Sequence, residues 1–347
     1  MNSDRRRLLI AGVRTFALGA AARAVPLFAQ AGTGVAGTVA TRDDQKGTRL
    51  VLLGTQGGPN VNLHRAQGSN AIVVDGRTYL VDCGYGAVRS LVAAGLGYAQ
   101  VGSVFITHLH NDHTADLAAL LTLHWTGATL EPMDVYGPYG TKAMVDAAIA
   151  FAKADTEIRV VDEGRKMRPE DLFHGHDLAA TAAPAQAFKD DRVTVRSIEN
   201  THFPDRSKSQ MQYRSIGYRF DTPTRSIVIT GDTAYSKNLV DLAQGVDLFV
   251  CELMDQATYE ATVARAKAAA DAGNPNNIFR HVAETHATPE HVGRMATEAK
   301  VKTVVLTHLL PGSNRAQIAE FPDSSYIEAV RKYYAGEIVV GRDLMVL

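Results

Sequence analysis

One stretch decides the fold of this chain: V-F-I-T-H-L-H-N-D-H, at residues 104–113. Its first part is a short apolar run of the kind that forms a buried strand. His108 and His110 leave that strand two residues apart, so both imidazoles can point to the same side of an extended chain. Asp112 and His113 follow at the turn into a helical pattern. Three imidazoles and a carboxylate packed this closely are typical of ligands for two divalent metal ions.

The sequence on both sides of this stretch alternates between short apolar runs and helical patterns. Runs rich in Val and Ile predict strands at 50–53, 71–74, 79–81, 104–107, 227–230, 248–251, 304–307 and 338–340. Helices are predicted at 88–96, 116–124, 142–153, 256–272, 289–300 and 325–334. Asp75-Gly76 between two of the runs indicates a hairpin turn. Strands followed by helices, with hairpins near the start, are typical of a layered α/β domain.

The first 31 residues are predicted to be an export signal that is not part of the fold. Arginines 5–7 precede an alanine-rich, weakly apolar stretch, and Ala29-Gln30-Ala31 has the small-x-small form of a signal-peptidase site. The arginine run resembles the twin-arginine signal of bacteria. Residues 32–47 are predicted to be a linker and residues 48–347 one catalytic domain. We therefore expect a periplasmic or secreted protein.

The composition limits the classes of partner that the sequence favours. The 347 residues carry 36 basic and 37 acidic side chains, for a formal net charge of −1. Residues 1–31 hold five arginines and one aspartate, so the remaining domain is more acidic, which argues against binding of a polyanion. The two cysteines exclude a disulfide scaffold and a Cys-rich zinc module.

The histidine stretch and several later positions resemble the signature of the metallo-β-lactamase superfamily, His-x-His-x-Asp-His after an apolar strand. The later matches are Asp82 after the third strand, His202 in E-N-T-H, Asp232 in T-G-D-T and His308 in L-T-H. The resemblance implies a four-layer αβ/βα sandwich, as a single domain with an insertion at about 141–192. It implies two metal sites, one held by His108, His110 and His202 and the other by Asp112, His113 and His308. Asp232 would be shared by both metals, and Asp82 would orient the loop that carries the histidine stretch. Imidazole and carboxylate without thiolate favour two zinc ions per chain, with manganese or iron as alternatives.

Two further segments resemble the ribonuclease Z-like branch of that superfamily. They are Cys251-Glu252 and His286-Ala287-Thr288, which match its Glu and His boxes. In that branch the histidine donates a proton to the leaving group and the glutamate holds the histidine. The resemblance therefore implies Asp112, His286 and Glu252 as the catalytic residues.

The chain also departs from the tRNA-processing members of that branch. Its segment 141–192 carries eight basic and ten acidic side chains, and export would separate the protein from tRNA. We therefore expect an exported dinuclear zinc hydrolase of the arylsulfatase-like type, which uses metal-bound hydroxide on a small ester, lactone, aryl sulfate, phosphodiester or activated aryl halide. The expected partner is a small molecule, with no nucleic acid and, after signal removal, no membrane; a homodimer is left open.

Three alternatives to this hydrolase remain at this point. One is an iron-dependent thiol or persulfide dioxygenase-like oxidoreductase of the same fold. Another is a ribonuclease Z-type phosphodiesterase. The third, a metal-binding module without activity, is disfavoured by the complete set of ligand positions.

Overall fold

Two β-sheets pack face to face, and helices cover the outer side of each. The computed structural model describes residues 46–127, 131–203, 211–311 and 322–347. These residues all fall within one compact unit, Val39–Leu347. The predicted export signal and residues 32–45 of the predicted linker lie outside the described residues. Within the described ranges, no helix is long and apolar enough to cross a membrane.

The first sheet has six strands and the second has seven. The strands of the first, in spatial order, are β1 (Thr48–Gly54), β2 (Ser69–Val74), β3 (Arg77–Val81), β4 (Val101–Phe105), β5 (Met133–Pro138) and β6 (Phe173–Leu178). The second contains β7 (Ala185–Lys189), β8 (Thr194–Glu199), β9 (Ile216–Asp221), β10 (Ser226–Ile229), β11 (Leu248–Met254), β12 (Thr303–Leu310) and β13 (Glu337–Val340), in the spatial order β13 to β7. Strands β3 to β6 are parallel, and so are β10 to β13.

Eleven α-helices lie in the described ranges. They are α1 (Ala87–Ala93), α2 (Asn111–Thr114), α3 (Leu117–Thr126), α4 (Thr141–Phe151), α5 (Lys153–Asp162), α6 (Pro169–Leu172), α7 (Lys237–Leu242), α8 (Gln256–Asp271), α9 (Ile278–Thr285), α10 (Pro289–Glu298) and α11 (Asp323–Arg331). Apolar residues of α1, α3 and α4 pack on the first sheet, and those of α7, α10 and α11 pack on the second. The layers therefore run helix, sheet, sheet, helix, which confirms the expected αβ/βα sandwich.

A third apolar cluster fills the space between the two sheets. Phe105, at the end of β4, is fully buried in it. Its ring stacks on Tyr136 at 5.4 Å between centroids and meets Tyr218 and Phe220 edge-on at 5.5 and 5.2 Å. Aromatic pairs in these geometries add to the free energy gained by burying their area. The histidine stretch therefore starts from a rigid point of the core.

The predicted strands and helices all overlap observed elements, and the hairpin turn is confirmed. Asp75 and Gly76 have φ of 47° and 82°, the positive values that a tight two-residue turn between β2 and β3 requires. Within the described ranges, the patterns missed β5 to β9 and the helices α2, α5, α6, α7 and α9. Segment 141–192, which was expected to be an insertion, contains α4 to α6 and one edge strand of each sheet, β6 of the first and β7 of the second.

Candidate metal centre

The predicted ligands lie together at one end of the two sheets, where the parallel strands have their carboxyl ends. Asp82 follows β3, His108 and His110 follow β4, Asp112 and His113 lie on α2, His202 follows β8, Asp232 follows β10, and His308 lies in β12. Asp82 and His308 have φ of 62° and 43°, a backbone region that L-residues enter at an energetic cost. Strain of this kind concentrates at functional sites.

A glycine brings the loops of the two sheets into contact. Gly231 has φ of 61°, and a Cβ at this position would lie 2.7 Å from the Cβ of Thr107. Any other residue would therefore separate Asp232 from the histidine stretch. T-G-D-T places the carboxylate because it contains this glycine.

Three imidazoles form the first cluster. Nε2 of His108 lies 3.0 Å from Nδ1 of His110, and Nε2 of His202 lies 3.2 Å from the same atom. Four ligands about 2.05 Å from a zinc ion in tetrahedral geometry are separated by about 3.3 Å. The three nitrogens therefore have the spacing of ligands around one ion.

Asp112, His113 and His308 form the second cluster. Nε2 of His308 lies 3.2 Å from Nε2 of His113 and 3.3 Å from Oδ2 of Asp112. All three side chains are buried. Buried imidazole nitrogens that face each other at contact distance compete for a single proton, whereas a cation between them satisfies every lone pair.

Asp232 lies between the two clusters. Its Oδ1 is 3.2 Å from Nε2 of His113 and 3.3 Å from Nε2 of His308, while its Oδ2 is 3.9 Å from Nε2 of His108 and 4.0 Å from Nε2 of His202. Oδ1 is buried and accepts no hydrogen bond from any described residue. One oxygen thus faces each cluster, so the donor set fits two metal ions that share this carboxylate.

Outer contacts fix the ligand rings. Oδ2 of Asp82 lies 2.8 Å from Nδ1 of His113, while its two oxygens accept hydrogen bonds from the Thr107 backbone N–H at 2.8 Å and hydroxyl at 2.9 Å. Nδ1 of His202 lies 3.3 Å from the carbonyl oxygen of Thr285. Such contacts place the ring proton on Nδ1 and leave the Nε2 lone pair directed into the site.

The predicted pair His286 and Glu252 lies next to both clusters: the His286 ring is 5.1 Å from that of His202, and Oε2 of Glu252 is 3.8 Å from Nδ1 of His308. Nδ1 of His286 is 2.7 Å from Oε2 of Glu252, and 3.9 Å from Oδ2 of Asp232. The other carboxylate oxygen of Glu252 accepts a hydrogen bond from the backbone N–H of Thr233. Both side chains are buried. Glu252 therefore orients the His286 ring, and none of the described residues makes a hydrogen bond to its Nε2.

The environment changes the pKa of several of these groups. Burial lowers the pKa of His108 and of His202 well below the usual value, so both rings are neutral and keep a lone pair. Burial also disfavours the charged form of His286, but the Glu252 carboxylate outweighs it and raises the pKa of His286 to about 9. Burial raises the pKa of Glu252 itself.

Sequence patterns did not single out His281 or Phe203 as parts of this site. His281 lies on α9 with its ring centroid 5.1 Å from that of His202 and 5.9 Å from that of His110. The Phe203 ring packs against the same two histidines at 4.9 and 5.3 Å. The sequence contains no spacing that links His281 to the histidine stretch, because the two meet only through the packing of α9.

Comparisons with known proteins agree with this geometry. The model of the β-lactamase superfamily domain matches residues 77–309. Ribonuclease Z from Mycobacterium bovis (strain BCG / Pasteur 1173P2) is 29% identical over 298 residues, which cover 85% of this chain and 96% of that protein. Ribonuclease Z from Mycobacterium sp. (strain KMS) is 30% identical over 274 residues, covering 78% and 87%.

Solved structures share the fold at lower identity. The short form of human tRNase Z has a TM-score of 0.61 at 21% identity and covers 86% of this chain and 98% of its own. A metallo-β-lactamase fold protein from Bacillus subtilis has a TM-score of 0.59 at 17% identity, with coverage of 86% and 98%. These two likenesses extend over nearly all of the described residues.

The relatives overturn three expectations drawn from the sequence. They are named as enzymes that cleave RNA, so the expected exported small-molecule hydrolase is wrong, and so is the expected absence of a nucleic-acid partner. The expected periplasmic or secreted location is also wrong, because it conflicts with the ribonuclease Z family to which the relatives belong. The comparisons support the ribonuclease Z-like branch and give no support to the arylsulfatase-like type.

The family model, the sandwich and the two ligand clusters lead to one assignment. The fold implies dinuclear metal binding, and the buried His and Asp clusters are able to provide it. This chain belongs to the metallo-β-lactamase superfamily, in its ribonuclease Z-like branch, and is a metal-dependent hydrolase.

Proposed function

We propose that this chain is a ribonuclease Z-type phosphodiesterase that hydrolyses RNA at a dinuclear zinc centre. The observation that carries the proposal is the two ligand clusters joined by Asp232, with an oriented histidine beside them. Relatives that are 29–30% identical and named ribonuclease Z support the substrate class. Precursor tRNA is the first substrate to test, because the human structural neighbour is named tRNase Z.

The chain supplies seven metal ligands in this proposal. They are His108, His110 and His202 for one ion, Asp112, His113 and His308 for the other, and Asp232 for both. Zinc suits a set of imidazoles and carboxylates without thiolate. Two such ions, when bound, polarise the phosphoryl group and neutralise the charge that develops in an in-line displacement.

His286 acts on the leaving group. Its Nδ1 is engaged by Glu252, so Nε2 is the atom that can deliver a proton to the departing sugar oxygen. Glu252 is in turn held by the Thr233 backbone, so the carboxylate does not rotate away. Asp112 belongs to the same reaction centre and keeps His308 in place through its contact at 3.3 Å.

The direct test is cleavage of a precursor tRNA that carries a 3′ extension by protein whose zinc content has been measured. We expect a shortened tRNA and a released trailer on a denaturing gel, and loss of both with Asp232→Ala. Intact precursor after incubation with protein that holds two zinc ions per chain would contradict the proposal.

The role of His286 is tested by changing the leaving group. His286→Ala should slow RNA cleavage by about 10²- to 10⁴-fold, the usual contribution of general acid catalysis. It should slow hydrolysis of bis(p-nitrophenyl) phosphate much less, because nitrophenolate departs without a proton. His174→Ala removes an exposed histidine of β6 and is the matched control, with no change expected. An equal loss with both substrates, or loss of zinc from His286→Ala, would assign His286 to the structure of the metal site instead.

A further inference from the structure

His281 is a polar side chain of the site that neither ligand cluster uses. It lies on α9, and the side chain of Asn277 caps the first turn of this helix. The backbone N–H of His281 donates to the Asn277 carbonyl oxygen at 3.2 Å. The Thr285 hydroxyl donates to the carbonyl oxygen of His281 at 2.8 Å. The helix therefore holds the Cα of His281 at a fixed distance from His286, which follows α9 directly.

The ring of His281 faces the same space as His286 and His202. One ring nitrogen from each of these three residues lies within 4.8 Å of the other two. The His281 ring is half-buried, and within the described part of the chain no group makes a hydrogen bond to it. The His202 ring is already held by the Thr285 carbonyl oxygen on one side and faces His110 on the other.

His281 lies farther from His110 and His286 than the members of the first cluster lie from one another. Between ring centroids, His281 is 5.9 Å from His110 and 6.1 Å from His286, whereas His108 and His202 lie 4.7 and 5.1 Å from His110. One ring nitrogen of His281 and one of His286 lie within 4.8 Å of each other, so a single oxygen atom of a bound molecule can be within hydrogen-bond distance of both. A neutral imidazole offers one N–H donor to such an oxygen.

We propose that His281 is a substrate-binding residue, which donates a hydrogen bond to a non-bridging oxygen of the phosphoryl group on the side where His286 meets the leaving oxygen. The assignment rests on the proposed phosphodiesterase function. Phosphoryl oxygens carry negative charge and accept hydrogen bonds strongly. The ligand that His281 would bind is therefore a phosphate diester or the terminal phosphate of a product.

Two substitutions of His281 test this role, and a neighbour on the same helix is the control. His281→Phe keeps the size of the ring and removes both nitrogens, and His281→Gln restores an N–H donor on a flexible side chain. Glu284→Gln changes an exposed side chain of α9 that faces Arg280. Zinc per chain is measured for all variants, followed by calorimetric titration of the zinc-loaded proteins with inorganic phosphate and by kinetics on precursor tRNA.

We expect unchanged zinc content, phosphate affinity lowered about 10- to 100-fold by His281→Phe, partial recovery with His281→Gln and no change with Glu284→Gln. In the kinetics on precursor tRNA, weaker substrate binding by His281→Phe should appear at least partly as a higher KM. Equal phosphate affinity of wild type and His281→Phe, absence of phosphate binding by the wild type, or loss of zinc from His281→Phe each overturns the assignment. A wild type that binds phosphate but cleaves no RNA refutes the phosphodiesterase proposal alone, because the phosphate titration still decides the role of His281.

Discussion

Replacing Asp82 by Asn is the sharpest test of how the second ligand cluster is held. Asp82 is buried and uses both oxygens: Thr107 donates to each of them, and His113 Nδ1 lies 2.8 Å from Oδ2. Asn has the same shape and tolerates the positive φ of 62° at this position, so the backbone gives no reason for the change to be harmful. What changes is that one acceptor oxygen becomes an NH₂ donor.

The size of the effect follows from the ring proton of His113. If the Asn oxygen keeps the hydrogen bond from the Thr107 backbone N–H, the Asn NH₂ group faces His113 Nδ1. The His113 ring must then carry its proton on Nε2, the atom that faces Asp232 and His308. Metal binding then has to restore the other tautomer. Loss of such an outer partner lowers metal affinity about 10- to 100-fold, or about 1.4–2.7 kcal/mol. The metal-free protein should lose a further ~1.5–3 kcal/mol of unfolding free energy with the charge-assisted hydrogen bonds.

Metal affinity is measured by competition with a chromophoric chelator, and stability by urea unfolding of the metal-free protein. Asp116→Asn is the matched control, because Asp116 accepts from the backbone N–H groups of Gly86 and Val88 at 2.9 and 3.2 Å, and these contacts hold α1. It should reduce stability and leave metal affinity unchanged. If Asp82→Asn binds zinc within threefold of wild type, or if Asp116→Asn weakens zinc equally, Asp82 does not set the His113 tautomer.

Four further predictions concern stability. Chelation of the metals should lower the melting temperature measured by scanning fluorimetry, since each site contributes about 4 kcal/mol when free metal is a thousand times its Kd; an unchanged melting temperature would contradict metal binding. Phe105→Ala should cost about 3–5 kcal/mol of unfolding free energy in urea, because the ring is buried between the sheets. Thr288→Ala should cost about 1 kcal/mol, because the Thr288 side chain caps α10 by accepting from the His291 backbone N–H. Partial burial opposes ionisation of Asp247, but Lys302 and Ser226 outweigh it and lower its pKa to about 2. The stability that Asp247 adds is therefore complete above its usual pKa near 4 and is lost as the pH falls towards 2. The difference in unfolding free energy between wild type and Asp247→Asn should narrow as the pH falls from 6 to 3.

The histidine stretch of the candidate metal centre could be predicted from the sequence because its residues carry a local signal. Two imidazoles two residues apart at the end of a strand can face one point, and His108 and His110 do so. Asp232 and His308 each follow or end an apolar run in a sheet whose parallel strands finish at the same edge. The resemblance to the metallo-β-lactamase superfamily implied these later positions, and the shared direction of the strands explains why they meet the histidine stretch at one edge.

The missed elements lack that local signal. β5 reads M-D-V-Y-G-P and β6 reads F-H-G-H-D-L, each with polar residues and glycine that oppose strand formation in isolation. They form because β4 offers a free edge and each added strand offers the next, which is a tertiary contribution that propensity does not contain. α9 has eight residues after a stretch of Gly, Asn and Pro that predicts a loop, so its packing on α8, and with it the position of His281, could not be foreseen.

The error about the partner has a physical cause in the way charge was counted. The formal net charge of −1 sums side chains only and leaves out any metal ion that the two ligand clusters would hold. Two divalent ions held there would add four positive charges where Asp112 and Asp232 supply two negative ones, so the loaded centre would be cationic and would attract a phosphodiester. Bound ions are often the largest local charges in a site, and here they would reverse its sign. The net charge of a metalloenzyme sequence therefore gives no ground for excluding a polyanionic substrate.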